Sequence, residues 1–309
     1  MPGKINMLKY IKFFCFFLLL PLSSAGGDIP EIMIINSDSS VEKYKSVQEE
    51  FRQVCSYPIS EINLEDKKQT IEDIEKSLIG THPDLIYCIG TKAYLIANRY
   101  AGSRPVVFTS VINWLRLPRT PKTYGVSSEL SAEMQIMLYR YIFPYLTKLG
   151  VLYGEKYNKE WVQQAGDEAK KIGVEIIGRP VSDSKETISA LKALLPSVEA
   201  FWMISDPMVM GDKDILSEVL KTCDSLKKPV FSYHDVLSQY GVILTVSADI
   251  PTIGRQAAGI ALEVLSGAEI KEKVQFPAGT DITLNLKKVK EYNLKYSDDA
   301  LGSVNHLIE

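Results

Sequence analysis

Two short phrases have the residue types and the setting to hold a small charged molecule: Gly90-Thr91 and Ser205-Asp206-Pro207. Each follows an apolar run that reads as a buried strand, Asp84–Ile89 and Ala200–Ile204. Each also stands where a helix would begin. A glycine lets a ligand approach the backbone, and a helix N-terminus offers free N–H groups and a positive dipole. Gly90-Thr91 therefore suits a carboxylate, although the pair also reads as a tight turn with Thr91 as a simple cap. Asp206 is the residue to meet an ammonium group. It reads equally as the cap of the helix that follows, with Pro207 ending the strand. Ligands in open parallel sheets lie outside the carboxyl ends of the strands. That rule adds Ser37, Asp38, Ser110 and Asn113 from the first half of the chain, and Tyr153, Tyr157 and Tyr233 from the second. Ser37 and Asp38 also read as part of a helix cap. Tyr153, Tyr157, Tyr233 and Trp114 have the rings to wall an apolar pocket. With 16 tyrosines in the chain, most must be ordinary surface or core. His234, beside Asp235, reads as a structural strand-end histidine rather than a catalytic one.

The elements that must position these residues alternate along the chain. Apolar runs at Glu31–Ser37, Ile59–Leu64, Asp84–Ile89 and Val106–Ile112 predict strands. Between them the spacing predicts helices over Val41–Val54, Thr70–Ile79 and Lys92–Tyr100. The stretch Tyr124–Asn158 reads as strand exit, crossing, amphipathic helix and new strand. A second series then begins, with strands at Lys148–Tyr153, Val174–Gly178, Ala200–Ile204, Pro229–Tyr233 and Val242–Val246. In its helix at Asp212–Lys227, Ile215, Leu216, Val219, Cys223 and Leu226 form the inward stripe. Strands alternating with helices at this spacing imply βαβ units and parallel sheets. Two such series imply an α/β chain of two Rossmann-like lobes facing across a cleft.

The N-terminus is a separate object. Lys4, Lys9 and Lys12 precede the apolar run Phe13–Leu20, and Ser23-Ser24-Ala25 ends in small residues. This is the pattern of a secretory signal peptide over residues 1–25, too short in its core to span a membrane. The expected location is periplasmic or extracellular. Loss of three lysines and no acids takes the net charge from −3 to −6, which disfavours a nucleic-acid partner. Cys15 leaves with the leader, and Cys55, Cys88 and Cys223 read as buried thiols. The chain has no GxSxG, GxGxxG, GxxxxGK[ST] or HExxH phrase and no CxxC pair, so no catalytic residue, cofactor or metal is expected. The basic loop with Arg116, Arg119 and Lys122 reads as solvated surface.

Taken together, several phrases carry a family likeness. They are Gly90-Thr91, Gly125-Val126-Ser127, Pro144 with Leu149-Gly150-Val151-Leu152-Tyr153, and Ser205-Asp206-Pro207. Ala248-Asp249, Gly254-Arg255-Gln256-Ala257-Ala258, Leu265-Ser266-Gly267 and Leu284-Asn285-Leu286-Lys287 extend it. In their order and spacing the chain resembles the ABC-transporter substrate-binding proteins of the tryptophan/tyrosine-binding type, with the type 1 periplasmic binding fold. Two places differ: Asn113-Trp114 stands where the family often has Asp-Pro, and Gly154-Glu155 where it often has Asn-Pro.

The resemblance implies two lobes, residues 28–124 with 247–276 and residues 125–246 with 277–309. Hinges would lie at Tyr124–Leu130, Thr245–Asp249 and Gln275–Ile282. It also implies a monomer that captures an amino-acid-like ligand, aromatic ones included, and delivers it to an ABC permease. The same cleft would equally serve a sensing module for a membrane receptor or sensor kinase.

Overall fold

The computed structural model describes residues 29–65 and 71–309, so the leader and Thr70 lie outside the described residues. The first lobe opens with β1 (Ile32–Asn36), α1 (Glu42–Val54), β2 (Ile59–Asn63) and α2 (Ile71–Gly80). It continues with β3 (Leu85–Ile89), α3 (Thr91–Tyr100), β4 (Val106–Thr109) and β5 (Thr123–Val126). The second lobe takes α4 (Ala132–Ile142), β6 (Lys148–Gly154), α5 (Glu155–Lys171), β7 (Glu175–Val181) and α6 (Thr187–Leu194). After these come β8 (Ala200–Met203), α7 (Pro207–Met210), α8 (Lys213–Ser225), β9 (Val230–Ser232) and β10 (Leu244–Ala248). The chain then returns to the first lobe with α9 (Ile250–Leu265) and β11 (Val274–Gln275). Finally β12 (Thr280–Asn285), α10 (Leu286–Glu291) and β13 (His306–Ile308) complete the second.

The first sheet has the order β11-β5-β4-β3-β1-β2 and is parallel throughout. The second has the order β13-β12-β10-β9-β8-β6-β7. It is parallel except where β12 runs antiparallel to β10, with Val246 opposite Ile282. The central strands β1 and β3 are buried at every position, as strands covered on both faces must be. In each sheet the order reverses once between the central strands, at β1/β3 and at β6/β8. Such a switch point leaves a crevice outside the strand ends, where ligands of doubly wound sheets sit.

The lobes join through three crossings that bond to one another. Ser127 N donates to Gln275 O (2.9 Å), tying the first crossing to the third. Asp249 N donates to Gly279 O (3.1 Å), tying the second to the third. From α9, the Gln256 amide donates to Gln275 Oε1 (2.9 Å) and Phe276 O (3.0 Å) and accepts from Ala278 N (3.1 Å). Local detail departs from the apolar pattern in three places. The fourth strand stops at Thr109 because Ser110 turns to φ 57°. Gly125 and Val126 belong to β5, so the chain leaves the first sheet at Ser127. Leu226, expected on the inward stripe, caps α8 and is 55% exposed.

Candidate functional site

At the first lobe's switch point, Ser37 and Gly90 fit one another. The Ser37 hydroxyl accepts from Ala93 N (3.0 Å) in the first turn of α3. Gly90 sits at φ 88° and ψ 160°, a region open essentially to glycine alone. A Cβ there would stand 2.5 Å from Ser37 Oγ and 3.2 Å from Tyr44 Cζ. The glycine is thus required by close packing, and Ser37 fills the crevice itself. Asp38 stands at its rim, accepting from Ser40 N (2.9 Å) and Ser40 Oγ (2.6 Å). The Ser40 bonds hold its carboxyl below the ordinary value. Thr91 Oγ1 accepts from Ile112 N (3.1 Å), bracing the loop after β4. In that loop both Ser110 (φ 57°) and Asn113 (φ 53°) are left-handed, a strain that over-determined functional loops carry. Ser110 is buried and Asn113 exposed. Trp114 turns away, packing 6.2 Å from the Phe108 ring with Arg119 over its face.

At the second lobe's switch point Asp206 is fully engaged. Its Oδ1 accepts from Met208 N (2.8 Å); its Oδ2 accepts from Gly154 N (2.7 Å) and Asn158 Nδ2 (2.6 Å). At 2% exposure it caps α7 and pins the end of β6 to the end of β8. Three of its acceptor positions thus serve the protein's own groups. Tyr153 also turns inward: its ring lies over Gly178 beside Val162, in the packing between β7 and α5. Ser205 lends its carbonyl to Asn158 (3.1 Å). Tyr233 is mostly buried, with its hydroxyl 3.9 Å from Met210 Sδ. Burial raises its phenol pKa most, Ser205 opposes that, and the charge of Glu129 adds to it. His234 caps the turn after β9 through Nδ1, accepting from Val236 N (3.3 Å).

Three residues of the cleft carry no local sequence signal. Arg116, in the turn Trp114–Arg116, reads as solvated surface from sequence alone. Here it crosses between the lobes, donating to the Tyr157 carbonyl, with its guanidinium 5.5 Å from the Tyr157 ring centroid. Glu129 lies in the first crossing, its backbone N bonded to Ser127 Oγ (3.1 Å). Burial raises its pKa, and Arg116 pulls the other way. Its neighbour Ser128 donates to Val111 O (3.4 Å), next to the Ile112 that Thr91 holds. Tyr44 is the third, its ring tip at Gly90. Arg116, Glu129, Tyr233 and Ser205 thus act on one another in turn, while Thr91 and Ser128 brace the adjoining loop at Val111 and Ile112. Among the described residues no group of three His, Cys, Asp or Glu side chains could hold a metal ion.

Comparison with known proteins decides the family. The ABC transporter substrate binding protein family matches residues 29–307. The chain is an ABC transporter substrate-binding protein. It is 24% identical over 253 residues to a tyrosine-binding protein of Clostridioides difficile, covering 76% of this chain and 72% of that one. Among solved structures it resembles the ligand-free, open form of an adhesive substrate-binding protein from Clostridium difficile. There the TM-score is 0.70 at 18% identity, over 91% of this chain and 99% of that one. It also resembles an ABC domain in complex with L-Trp from Streptococcus pneumoniae. That TM-score is 0.57 at 20% identity, over 90% and 100% of the two chains. The fold is that of the type 1 periplasmic binding proteins, as the two switch points and three crossings require. This binding protein thus serves an ABC importer, with a small solute and a membrane permease as its partners. Proteins of this family work outside the cytoplasm, and no helix among the described residues is long and apolar enough to cross a membrane.

Proposed function

We propose that this binding protein captures an aromatic amino acid between its lobes, as an exported monomer cut after Ala25, and passes it to the permease. The observation that carries the reading is Glu129. It is a half-buried carboxylate at the crossing, with no ion pair among the described residues, near enough to Arg116 and the Tyr233 phenol for their charges to act on one another. Burying a charge without a partner is costly, and a ligand ammonium supplies the partner. The amino-acid carboxylate then meets the N-terminus of α3, where Thr91 N and Lys92 N have no acceptor among the described residues. Tyr44, Tyr157 and Tyr233 supply the apolar walls.

Closure follows from geometry. The α3 terminus belongs to the first lobe, Tyr233 to the second, and Glu129 to the crossing. A ligand touching all three binds the closed state better and shifts the population towards it by that difference. Binding alone accounts for this role, without turnover. The tyrosine-binding relative and the neighbour in complex with L-Trp support the ligand class.

The test is calorimetric titration of the exported protein with Trp, Tyr and Phe. Glu129→Gln removes one charged hydrogen bond, roughly 1.5–3 kcal/mol, so affinity should fall about 10- to 150-fold. Unchanged affinity in Glu129→Gln would remove the carboxylate from the site. Silence towards all three amino acids would reject the ligand class and leave the family standing.

A further inference from the structure

The second lobe contains a second hollow, of about 640 Å³, on the α8 side of its sheet. That volume suits a small-molecule site, which runs to roughly 300–1,000 Å³. None of the cleft residues lines it. Its floor is apolar: Leu216 and Leu220 from α8, Val230 from β9, Leu237 from the turn that follows, and Ile243 just before β10. The hollow has a cause in the topology. β9 and β10 are joined by the short turn Asp235–Tyr240 instead of a full crossover helix. Val219 and Cys223 still bury the inner face of α8, but its flank with Leu216 and Leu220 is left half-covered.

The rim is mainly positive. Among the described residues Lys213, Lys221, Lys228 and Lys288 line the hollow against a single acid, Asp224. Asp224 is already engaged by the Lys288 ammonium and by Tyr292 Oη (2.5 Å). The other three lysines make no ion pair among the described residues. The Lys228 ammonium donates to Val198 O (2.5 Å), and burial holds its pKa below the ordinary lysine value. Four lysines around an apolar floor, in a chain of net charge −3, are a local concentration of positive charge.

We propose that this hollow is a second binding site, for a small organic anion with an apolar body: the head meets Lys213, Lys221 and Lys228 while the body lies on Leu216, Leu220 and Ile243. The site is independent of the cleft and of its ligand. An uncharged apolar molecule would leave the lysines unmatched, and a cation would be repelled by them.

The probe is 1-anilinonaphthalene-8-sulfonate, an aromatic monoanion that fluoresces in apolar surroundings, titrated into the purified exported protein. The expected result is one saturable site, displaced by decanoate but not by decylammonium and weakened by added salt. The double variant Lys213→Glu/Lys221→Glu changes two exposed side chains, and Leu220→Glu places a charge on the floor. Each should weaken the probe at least about tenfold, the first without moving the thermal midpoint. Saturating L-Trp should not displace the probe. The proposal is overturned by non-saturable fluorescence, by equal displacement with decylammonium, or by wild-type affinity in the double variant. Displacement by L-Trp would place the anion in the cleft and overturn it as well.

Discussion

Asp206→Ala gives the sharpest test of how the second lobe's switch point is built. The carboxylate is 2% exposed and accepts three hydrogen bonds, from Met208 N at 2.8 Å, Gly154 N at 2.7 Å and Asn158 Nδ2 at 2.6 Å. Hydrogen bonds to a charged group are worth roughly 1.5–3 kcal/mol each, and a helix cap about 1 kcal/mol. The three share one residue, so the terms do not add. Asn158 keeps its bond to Ser205 O (3.1 Å), whereas the Gly154 N–H is left buried with no acceptor. The net loss is about 3–5 kcal/mol, a 10²- to 10³·⁵-fold change in the unfolding constant. Urea denaturation followed by far-UV circular dichroism reads it directly. Asp206→Asn retains the shape but turns an amide N–H towards donors, and should lose about 2–4 kcal/mol. If both variants stay within about 1 kcal/mol of the parent while aromatic amino-acid affinity falls tenfold, Asp206 faces the ligand and the structural assignment is wrong.

Other perturbations follow from the same geometry. Gly90→Ala must hold a Cβ 2.5 Å from Ser37 Oγ at φ 88°, so it should cost about 3 kcal/mol in urea denaturation; a loss under about 1 kcal/mol would show that the turn relaxes freely. Because burial raises the Glu129 pKa, its ionised form is present only above that raised value. Ligand affinity should therefore fall as pH drops, with a midpoint above the ordinary 4.5 that Glu129→Gln abolishes. Cys55, Cys88 and Cys223 are all buried, and burial pushes the Cys223 thiol up to about 12. Ellman's reagent should leave all three untouched in the native protein and titrate them after denaturation; fast native reaction of any one would contradict its burial. Gln256→Ala removes the clamp on the third crossing. Hydrogen exchange at Ala278 should speed up while the amides of β3 do not change.

The class of fold was legible in the sequence because its signals are local. Runs such as Ile32–Asn36 and Leu85–Ile89 are apolar at every position, and only a strand covered on both faces tolerates that. Gly90 announced its turn and Ser131 its cap, because a cap acts within three residues of itself. The strand at His306–Ile308 was not legible, since three residues, two of them exposed, become a strand only beside β12.

The roles of the polar residues were decided elsewhere. A carboxylate at a strand end is free, capping or ligand-binding according to the donors aimed at it. For Asp206 two of those donors come from Gly154 and Asn158, 52 and 48 residues earlier in the chain. Arg116 looks like surface until the second lobe brings the Tyr157 carbonyl to it from 41 residues away. Glu129 looks like any acid in a loop until two lobes close around it and strip its water. The sequence by itself determined the strands, the helices and the pairing of two lobes, because hydrophobic period and turn chemistry are properties of neighbours. Only the tertiary structure decided which charges are satisfied within the protein and which wait for a ligand. That balance depends on distance and burial, and neither is a property of order along the chain.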